Sequence, residues 1–327
     1  MGNPKKKYTI GIDIGGTKIL VCLLSKDFKI RSEIKLKTKP EKGERFFMKS
    51  LVDAVRFVLR DARVIAKDVA GIGVGCPGFI DPDKGVIAGS PNIPFLKNFP
   101  LAKRLSKALG IPVTLGNDVQ TGLYGEHQFG AAIGYANVAG IFMGTGIGGA
   151  LILNGRPYRG TSGSAGEVGH VQLDPEGPAC GCGQHGCLEA FAGRLAISAE
   201  AAVLVARQSA PHLARETGTD IRGMKSGALA RAIRAGDSAV EDLIRGKAKR
   251  VGTLMANLVN ILNPDMIVLG GGLVEAMPIL IARKAEKTMR RLALPASSRH
   301  VKVAVAKLGD HAIVLGAAKR ARDLFHG

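Results

Sequence analysis

The chain has 327 residues, more than one hydrophobic core usually supports, so two domains are expected. Its 44 glycines and 46% apolar residues suit an α/β enzyme rich in tight turns, and they exclude a disordered or fibrous protein. The formal net charge is +19, but the basic residues form short scattered runs without interleaved aromatics, which argues against specific nucleic-acid binding.

The first predicted element follows a short basic segment. Residues 1–7 lack the apolar core of a secretory signal, and no later stretch is long and apolar enough to cross a bilayer. We therefore expect a cytoplasmic protein without membrane contacts. An apolar run, Tyr8–Ile14, ends at Gly15-Gly16-Thr17, and a second run covers Ile19–Leu24. This pattern predicts a β-hairpin with a glycine turn.

The rest of the first half alternates helical and strand patterns. Apolar residues recur at helical spacing in two segments and form continuous runs in two others. We expect the first domain to cover residues 1–116. The predicted elements are a helix at Phe46–Arg63, a strand at Val69–Gly75, a helix at Leu101–Leu109 and a strand at Pro112–Leu115.

The hairpin pattern occurs again in the second half. An apolar run, Val138–Met143, precedes Gly144-Thr145-Gly146-Ile147-Gly148-Gly149, and a further run covers Ala150–Leu153. Such self-similarity indicates two duplicated domains that face each other across a cleft, each contributing one glycine hairpin.

The second domain is expected to cover residues 117–311. The closing helix, about residues 312–327, is a candidate to pack back on the first domain. The predicted elements are helices at Leu195–Ala206 and Ala228–Leu262, strands at Met266–Leu269 and Lys302–Ala306, and the closing helix at Ala312–Phe325.

Three glycine-rich stretches come close to known nucleotide motifs without matching their context. Gly73, Gly75 and Gly78, and likewise Gly144, Gly146 and Gly149, have the dinucleotide spacing. That fingerprint requires a following helix whose N-terminus receives the pyrophosphate, and neither stretch has one. The segment at residues 11–18 is a near miss for the P-loop, because Thr17 stands where the lysine should be.

The glycine turns are instead candidates for holding a phosphate chain, because amides from two facing hairpins can converge on it. Asp13 would orient Mg2+ or its waters. Gly270-Gly271-Gly272 could let an adenine lie against the backbone, although a plain strand-to-helix turn explains it equally well. The candidate nucleotide-binding residues are Asp13, Gly15, Gly16, Thr17, Lys18, Gly144, Thr145, Gly146, Gly271 and Gly272.

Three of the five cysteines lie in one short stretch, Cys180-Gly-Cys182-Gly-Gln-His-Gly-Cys187, shortly after His170. A Cys3His set suits a closed, tetrahedral, structural Zn2+ site, and the glycines let the loop bend around it. We prefer His170 as the fourth ligand, since it arrives from outside the loop, with His185 as the alternative. The predicted zinc loop spans residues 167–189 and carries two carboxylates, Glu167 and Glu189, beside the ligands.

Together these motifs resemble the ROK family of bacterial sugar kinases and repressors over nearly the whole chain. The zinc loop is the most specific part of the resemblance. It implies an α/β, two-domain, actin-like fold, that is, a duplicated ribonuclease H-like ATPase fold with an inter-domain cleft. The motifs are Asp13-Ile-Gly-Gly-Thr-Lys18, Gly-Asn117-Asp118-Val, Gly144-Thr-Gly-Ile-Gly-Gly149, Glu167-Val-Gly-His170 and Cys180-Gly-Cys182-Gly-Gln-His-Gly-Cys187-Leu-Glu189.

The resemblance also implies ATP-dependent phosphorylation of a hexose at its 6-hydroxyl. Asp118 would be the catalytic base that takes the hydroxyl proton. Asn117-Asp118 also has the composition of a helix N-cap, and both roles can coexist in the pair. His170 would place one ring nitrogen on zinc and the other toward the sugar. The sugar-binding residues implied are Asn92, Asn117, Asp118, Glu167, His170 and Glu189.

We expect an ATP- and Mg2+-dependent glucokinase that forms a homodimer or higher homo-oligomer, as is common in the family. The alternatives are an N-acetylglucosamine or N-acetylmannosamine kinase, another hexose kinase, or a glucokinase that uses polyphosphate. A sugar-sensing regulator without turnover is the alternative from another class. Family repressors carry a winged DNA-binding segment before the first strand, and only seven residues precede Tyr8, which favours the kinase.

Overall fold

The computed structural model describes residues 6–90 and 93–326. Asn92, a candidate sugar-binding residue, lies outside this range. Within the described residues, none of the helices combines the length and apolar character needed to cross a bilayer. The chain forms two compact units. The first comprises Met1–Ile133, Arg159–Ser164 and Asp310–Gly327, and the second comprises Gly134–Tyr158 and Ala165–Gly309.

The described residues form twelve strands and twelve α-helices, joined by turns and short 3-10 segments. The strands are β1 Tyr8–Ile14, β2 Lys18–Ser25, β3 Ile30–Lys37, β4 Val69–Cys76, β5 Phe79–Asp81, β6 Val86–Gly89, β7 Val113–Asn117, β8 Val138–Met143, β9 Ile147–Leu153, β10 Arg156–Tyr158, β11 Met266–Gly270 and β12 Lys302–Val305. The helices are α1 Gly43–Asp61, α2 Leu101–Leu109, α3 Asp118–Phe129, α4 Leu188–Ala192, α5 Arg194–Ala206, α6 Pro211–Thr217, α7 Ser226–Arg234, α8 Ser238–Leu262, α9 Gly272–Ala276, α10 Pro278–Leu292, α11 Pro295–Ser298 and α12 Ala312–His326.

Each unit contains one five-stranded sheet, and the two sheets have the same strand order. The first runs β3-β2-β1-β4-β7 and the second β10-β9-β8-β11-β12. In each, three strands form an antiparallel meander, and the last two lie parallel to the central strand. The predicted duplication of a hairpin-led α/β domain is thus confirmed, and the fold is the two-domain actin-like fold.

Glycines in the first sheet allow a helix to lie directly on it. α12 packs on β1 and β4. A Cβ at Gly11 would lie 2.0 Å from the Val314 carbonyl oxygen, and one at Gly73 would lie 1.8 Å from the Ala317 carbonyl oxygen. The formal dinucleotide spacing that begins at Gly73 therefore reflects close packing of a helix against the sheet.

The first unit extends beyond the domain boundary expected at residue 116. α3 and α12 pack on one another within the first unit. Their approach is close because a Cβ at Gly125 would lie 2.1 Å from the Ala312 carbonyl oxygen, and one at Gly316 would lie 2.0 Å from the Thr121 carbonyl oxygen. Residues 117–133 therefore group with the first unit, as does the closing helix.

Several elements differ from the sequence expectations. The single helical segment expected at Ala228–Leu262 is divided into α7 and α8, because Gly236 has φ +108° and buried Asp237 accepts hydrogen bonds from the first backbone amides of α6.

Five further elements were not predicted from the sequence: β3, β5, β6, β10 and α10. β3 is an edge strand with alternating basic residues, and α10 is rich in Lys and Arg, so their apolar patterns are weak.

Candidate active site

The first glycine turn joins β1 to β2 and is held by defined hydrogen bonds. The Gly15 amide donates to the Lys18 carbonyl at 2.8 Å, and the Thr38 hydroxyl donates to the Gly15 carbonyl at 2.6 Å. Thr17 is exposed at the tip. The Lys18 ammonium forms an ion pair with Asp310, at the start of the closing segment. Thr38 and Asp310 therefore fix the turn, and no local sequence signal identified either residue.

Asp13 and Asp118 lie at the same edge of the first sheet. β1, β4 and β7 are parallel, and Gly75 stands opposite both Asp13 and Gly116 in the strand register. A Cβ at Gly75 would lie 3.6 Å from the Asp118 Cα, so Gly75 is next to Asp118, and only 2.3 Å from Ile313 Cγ2, so the position has no room for a side chain. Burial and, next, the nearby charge of Asp118 together raise the pKa of Asp13 to about 7.

Asn117 is the N-cap of α3. Its side-chain oxygen accepts from the Val119 amide at 2.9 Å and from the Gln120 amide at 3.1 Å, while its amide group donates to the Gly78 carbonyl at 3.2 Å. These contacts commit the oxygen of Asn117 to the helix. Asp118 is the first helical residue, so its carboxyl group lies at the N-terminal end of α3.

The second glycine turn joins β8 to β9 and is held by the start of α5. The Arg194 amide donates to the Gly144 carbonyl at 3.1 Å, and the Leu195 amide donates to the Thr145 carbonyl at 3.2 Å. β11 lies beside β8, and Gly271 follows it with φ +85°. A Cβ at Gly271 would lie 2.6 Å from the Met143 carbonyl oxygen. The structure thus brings Gly271 and the turn to one edge of the second sheet.

The predicted Cys3His ligands form a cluster whose ligand atoms all lie within 4.8 Å of one another: His170, Cys180, Cys182 and Cys187. The Cys182 and Cys187 sulfurs are 3.7 Å apart, and the Cys180 sulfur is 3.7 Å from His170 Nδ1. Zn–S bonds of about 2.3 Å in a tetrahedron separate two sulfurs by about 3.8 Å, so the cluster fits Zn2+. His185 is outside it, with Nδ1 3.2 Å from the Gly177 carbonyl oxygen.

Glu189 connects this cluster to the second glycine turn. One carboxylate oxygen accepts from the Ile147 amide at 2.8 Å, and the other lies 4.0 Å from the Cys180 sulfur. A Cβ at Gly146 would lie 2.0 Å from the first oxygen, so only glycine leaves room for the carboxylate. Sequence reasoning assigned Glu189 to the sugar and missed this bracing contact, for which the sequence contains no signal.

Glu167 and His170 flank a 3-10 turn, Val168–His170, that packs on β9. Partial burial of its carboxyl group raises the pKa of Glu167, His170 opposes this shift, and the charge of Glu189 adds to it. The pKa of Glu167 therefore depends on the charges of the other two candidate sugar-binding side chains of the second unit, His170 and Glu189. His170 turns Nδ1 toward the sulfurs, which leaves Nε2 for a second partner.

Comparison with known proteins gives one family. The family model described as ROK family matches residues 9–323. A glucokinase of Halalkalibacterium halodurans is 33% identical over 312 residues, 95% of this chain and 93% of that protein. A ROK family glucokinase from Streptomyces griseus, solved in complex with glucose and AMPPNP, is 31% identical with a TM-score of 0.82, covering 97% of this chain and 99% of that one.

The similarity extends to regulators. A xylose repressor of Caldicellulosiruptor bescii is 29% identical over 308 residues, which are 94% of this chain and 76% of the repressor. The chain therefore resembles both catalytic and regulatory proteins over most of its length.

Proposed function

The chain belongs to the ROK family, and from this membership we propose that it is an ATP-dependent kinase that phosphorylates the 6-hydroxyl of glucose. Its similarity to glucokinases over nearly the whole chain supports a sugar kinase. One observation carries the proposal: Asp118 lies at the same sheet edge as Asp13 and the first glycine turn. The proposed base and the proposed phosphate-binding turn thereby belong to a single compact unit.

Asp118 is the proposed catalytic base. A sugar hydroxyl is a weak nucleophile, and a carboxylate that accepts its proton while the phosphoryl group arrives accelerates transfer by roughly 10²–10⁴-fold. The start of α3 supports this role, because Asp118 is the first residue of the helix and Asn117 fixes the helix end.

The glycine turns are the proposed phosphate-binding elements. Their backbones approach without side chains, and their amides suit anionic oxygens. Asp13 is a carboxylate oxygen donor of the kind that Mg2+ prefers, and bound Mg2+ would neutralise charge on the phosphates. The proposed nucleotide-binding residues remain those named from the sequence, with Lys18 held in place by Asp310.

The zinc loop is the proposed source of the sugar-binding groups of the second unit. Zn2+ would hold His170 and the three cysteines in a fixed arrangement and would have a structural role. Glu167 and Glu189 are acceptors for pairs of hydroxyls, and an analogue that lacks one of these hydroxyls would leave a carboxylate oxygen unpaired. Glucose is the proposed substrate, and N-acetylhexosamines are the runner-up.

Phosphoryl transfer is tested by ADP release with Mg-ATP against glucose, mannose, fructose, allose, N-acetylglucosamine and N-acetylmannosamine. Asp118→Asn, which keeps the shape of the side chain, should lower kcat for glucose by roughly 10²–10⁴-fold. Glucose binding, measured by calorimetry because the chain has no Trp, should change by only a few fold.

The regulator remains the second candidate because of the similarity to a repressor. Glucose binding by the wild-type protein without ADP release from any sugar would favour the regulator. Full turnover by Asp118→Asn would show that Asp118 is not the catalytic base, but it would not contradict the proposal that the protein is a kinase.

A further inference from the structure

A second group of metal-ligating side chains lies in the first unit and has no role in the proposed reaction. Cys22 is in β2 and is fully buried. Glu33 stands directly opposite it in β3, so the two side chains share one face of the sheet. His311 belongs to the short turn that precedes α12, and its imidazole reaches the same place.

The three side chains are in direct contact. The Cys22 sulfur is 3.7 Å from a carboxylate oxygen of Glu33, and the same oxygen is 2.9 Å from His311 Nε2. One ligand atom from each residue lies within 4.8 Å of the other two. Glu33 and His311 are about half exposed, so a cation can reach the group from solvent.

We propose that Cys22, Glu33 and His311 form a second metal site for a borderline divalent cation such as Zn2+. A thiolate, a carboxylate and an imidazole are the donors that Zn2+ prefers, and three protein ligands leave the fourth tetrahedral position to water. The ligand-to-ligand separations of a tetrahedral site are about 3.3–3.8 Å. The Cys22–Glu33 separation of 3.7 Å already fits, and the Glu33–His311 contact of 2.9 Å has to lengthen slightly.

Binding exchanges a proton for the metal. Burial and the neighbouring Glu33 raise the pKa of the Cys22 thiol to about 12, so the metal-free protein keeps the S–H bond. When the sulfur bonds to the cation, that proton is released to solvent, and no electron transfer is involved. The thiol and carboxylate are poor partners for each other without the cation, because the S–H group is a weak donor.

A bound metal would cross-link two segments of the first unit that are far apart in the sequence. Glu33 and His311 are 278 positions apart, and the metal would link the β2–β3 hairpin to the start of α12. The adjacent Asp310 forms ion pairs with Lys18 and Lys35, so the link lies next to the first glycine turn. Those two ammonium groups are already held by Asp310, which limits their repulsion of an entering cation.

Cobalt(II) provides a direct test, because a Co2+–thiolate bond produces a charge-transfer band in the near ultraviolet. The full-length protein is first given one equivalent of Zn2+, which fills the Cys3His cluster and leaves the second site open, and is then titrated with Co2+. We expect a band equivalent to one bound cation in the wild type and in Cys76→Ser, which changes a buried cysteine outside the cluster. The band should be lost in Cys22→Ser.

Two surface substitutions keep the test valid if Cys22→Ser unfolds. Glu33→Gln and His311→Gln should each weaken the cobalt band at least tenfold at subsaturating Co2+. In a separate sample with excess Zn2+, each variant should bind one equivalent of zinc less than the wild type. The wild type should melt at a higher temperature with added Zn2+, and His311→Gln should not. A wild-type band that keeps its intensity in Cys22→Ser and His311→Gln, or no band in the wild type, would overturn the proposal.

Discussion

The carboxyl group of Asp13 is the most strongly perturbed acid at the candidate site. Its side chain is 7% exposed, and burial is the main reason for a pKa of about 7, with Asp118 as the next contribution. Asp13, the proposed Mg2+ ligand, is thus kept near the midpoint of its titration at neutral pH.

This burial predicts a pH-dependent stability. The folded-state pKa of Asp13 is raised above its ordinary value of 3.8, so its contribution to stability is fully present below pH 4. That contribution is lost as the pH rises to about 7. Asp13→Asn should therefore become progressively more stable than the wild type between pH 5 and pH 8, as measured by urea unfolding without nucleotide or Mg2+.

The control is Asp27→Asn, at an exposed aspartate in the same unit. Its stability relative to the wild type should not follow this pH profile. Equal profiles for the two variants would show that burial of Asp13 is not the cause. In the wild type, the affinity for Mg-ATP should rise from pH 6 to pH 8, and Asp13→Asn should lose that dependence.

At the scale of elements, α12 joins the end of the chain to the first sheet. The glycines of β1 and β4 let its backbone approach to a distance that no other residue permits. The helix then packs on α3, which begins with Asp118. The position of the proposed base therefore depends on packing contacts between the two ends of the chain.

Gly73→Ala tests this packing. The new methyl group would meet the Ala317 carbonyl oxygen, so α12 would have to shift, and we expect a loss of about 1–3 kcal/mol or more in the free energy of unfolding. Gly89→Ala, in β6 of the same unit, has open space around the new methyl group and should be neutral or slightly stabilising. Equal urea midpoints for the two variants would contradict the packing argument.

The predicted zinc loop, residues 167–189, is a second element whose ligands can be tested one at a time. His170→Gln removes a ligand from the cluster, whereas His185→Gln changes a histidine of the same loop that lies outside it. The first variant should lose one equivalent of zinc relative to the wild type, and the second should retain it, as measured by metal analysis after desalting. The reverse result would make His185 the fourth ligand.

For the whole molecule, the net charge of +19 is the dominant electrostatic property. This charge has a local effect on Lys284 in α10, whose pKa is lowered. The causes are partial loss of hydration and the positive charges of four neighbours: Lys249, Lys287, Arg245 and Arg291. Self-repulsion of this kind destabilises the folded state and is screened by salt.

Salt should therefore stabilise the protein. Raising NaCl should raise Tm, followed by circular dichroism, and Lys284→Gln should raise Tm at low salt only. Lys49→Gln is the control, since Lys49 is balanced by Asp53 four residues away, and it should not raise Tm. A Tm that is insensitive to salt in the wild type would mean that repulsion contributes little.

The sequence by itself predicted the two glycine hairpins, most of the central strands, the closing helix and the four residues of the Cys3His cluster. Those features are local: apolar periodicity within a strand, or ligands within one loop and the turn before it, can be identified over a short window. The duplicated pattern also predicted the common architecture of the two units, because the same strand-turn-strand sequence occurs twice.

Only the tertiary structure decided which distant residues meet. It joined Glu189 to Ile147, grouped α3 with the first unit, and brought His311 to Cys22 and Glu33. These contacts depend on strand register and on helix approach at glycines, which are properties of the packed chain. A residue type at one position contains no information about a partner 278 positions away until the sheet and α12 have packed together.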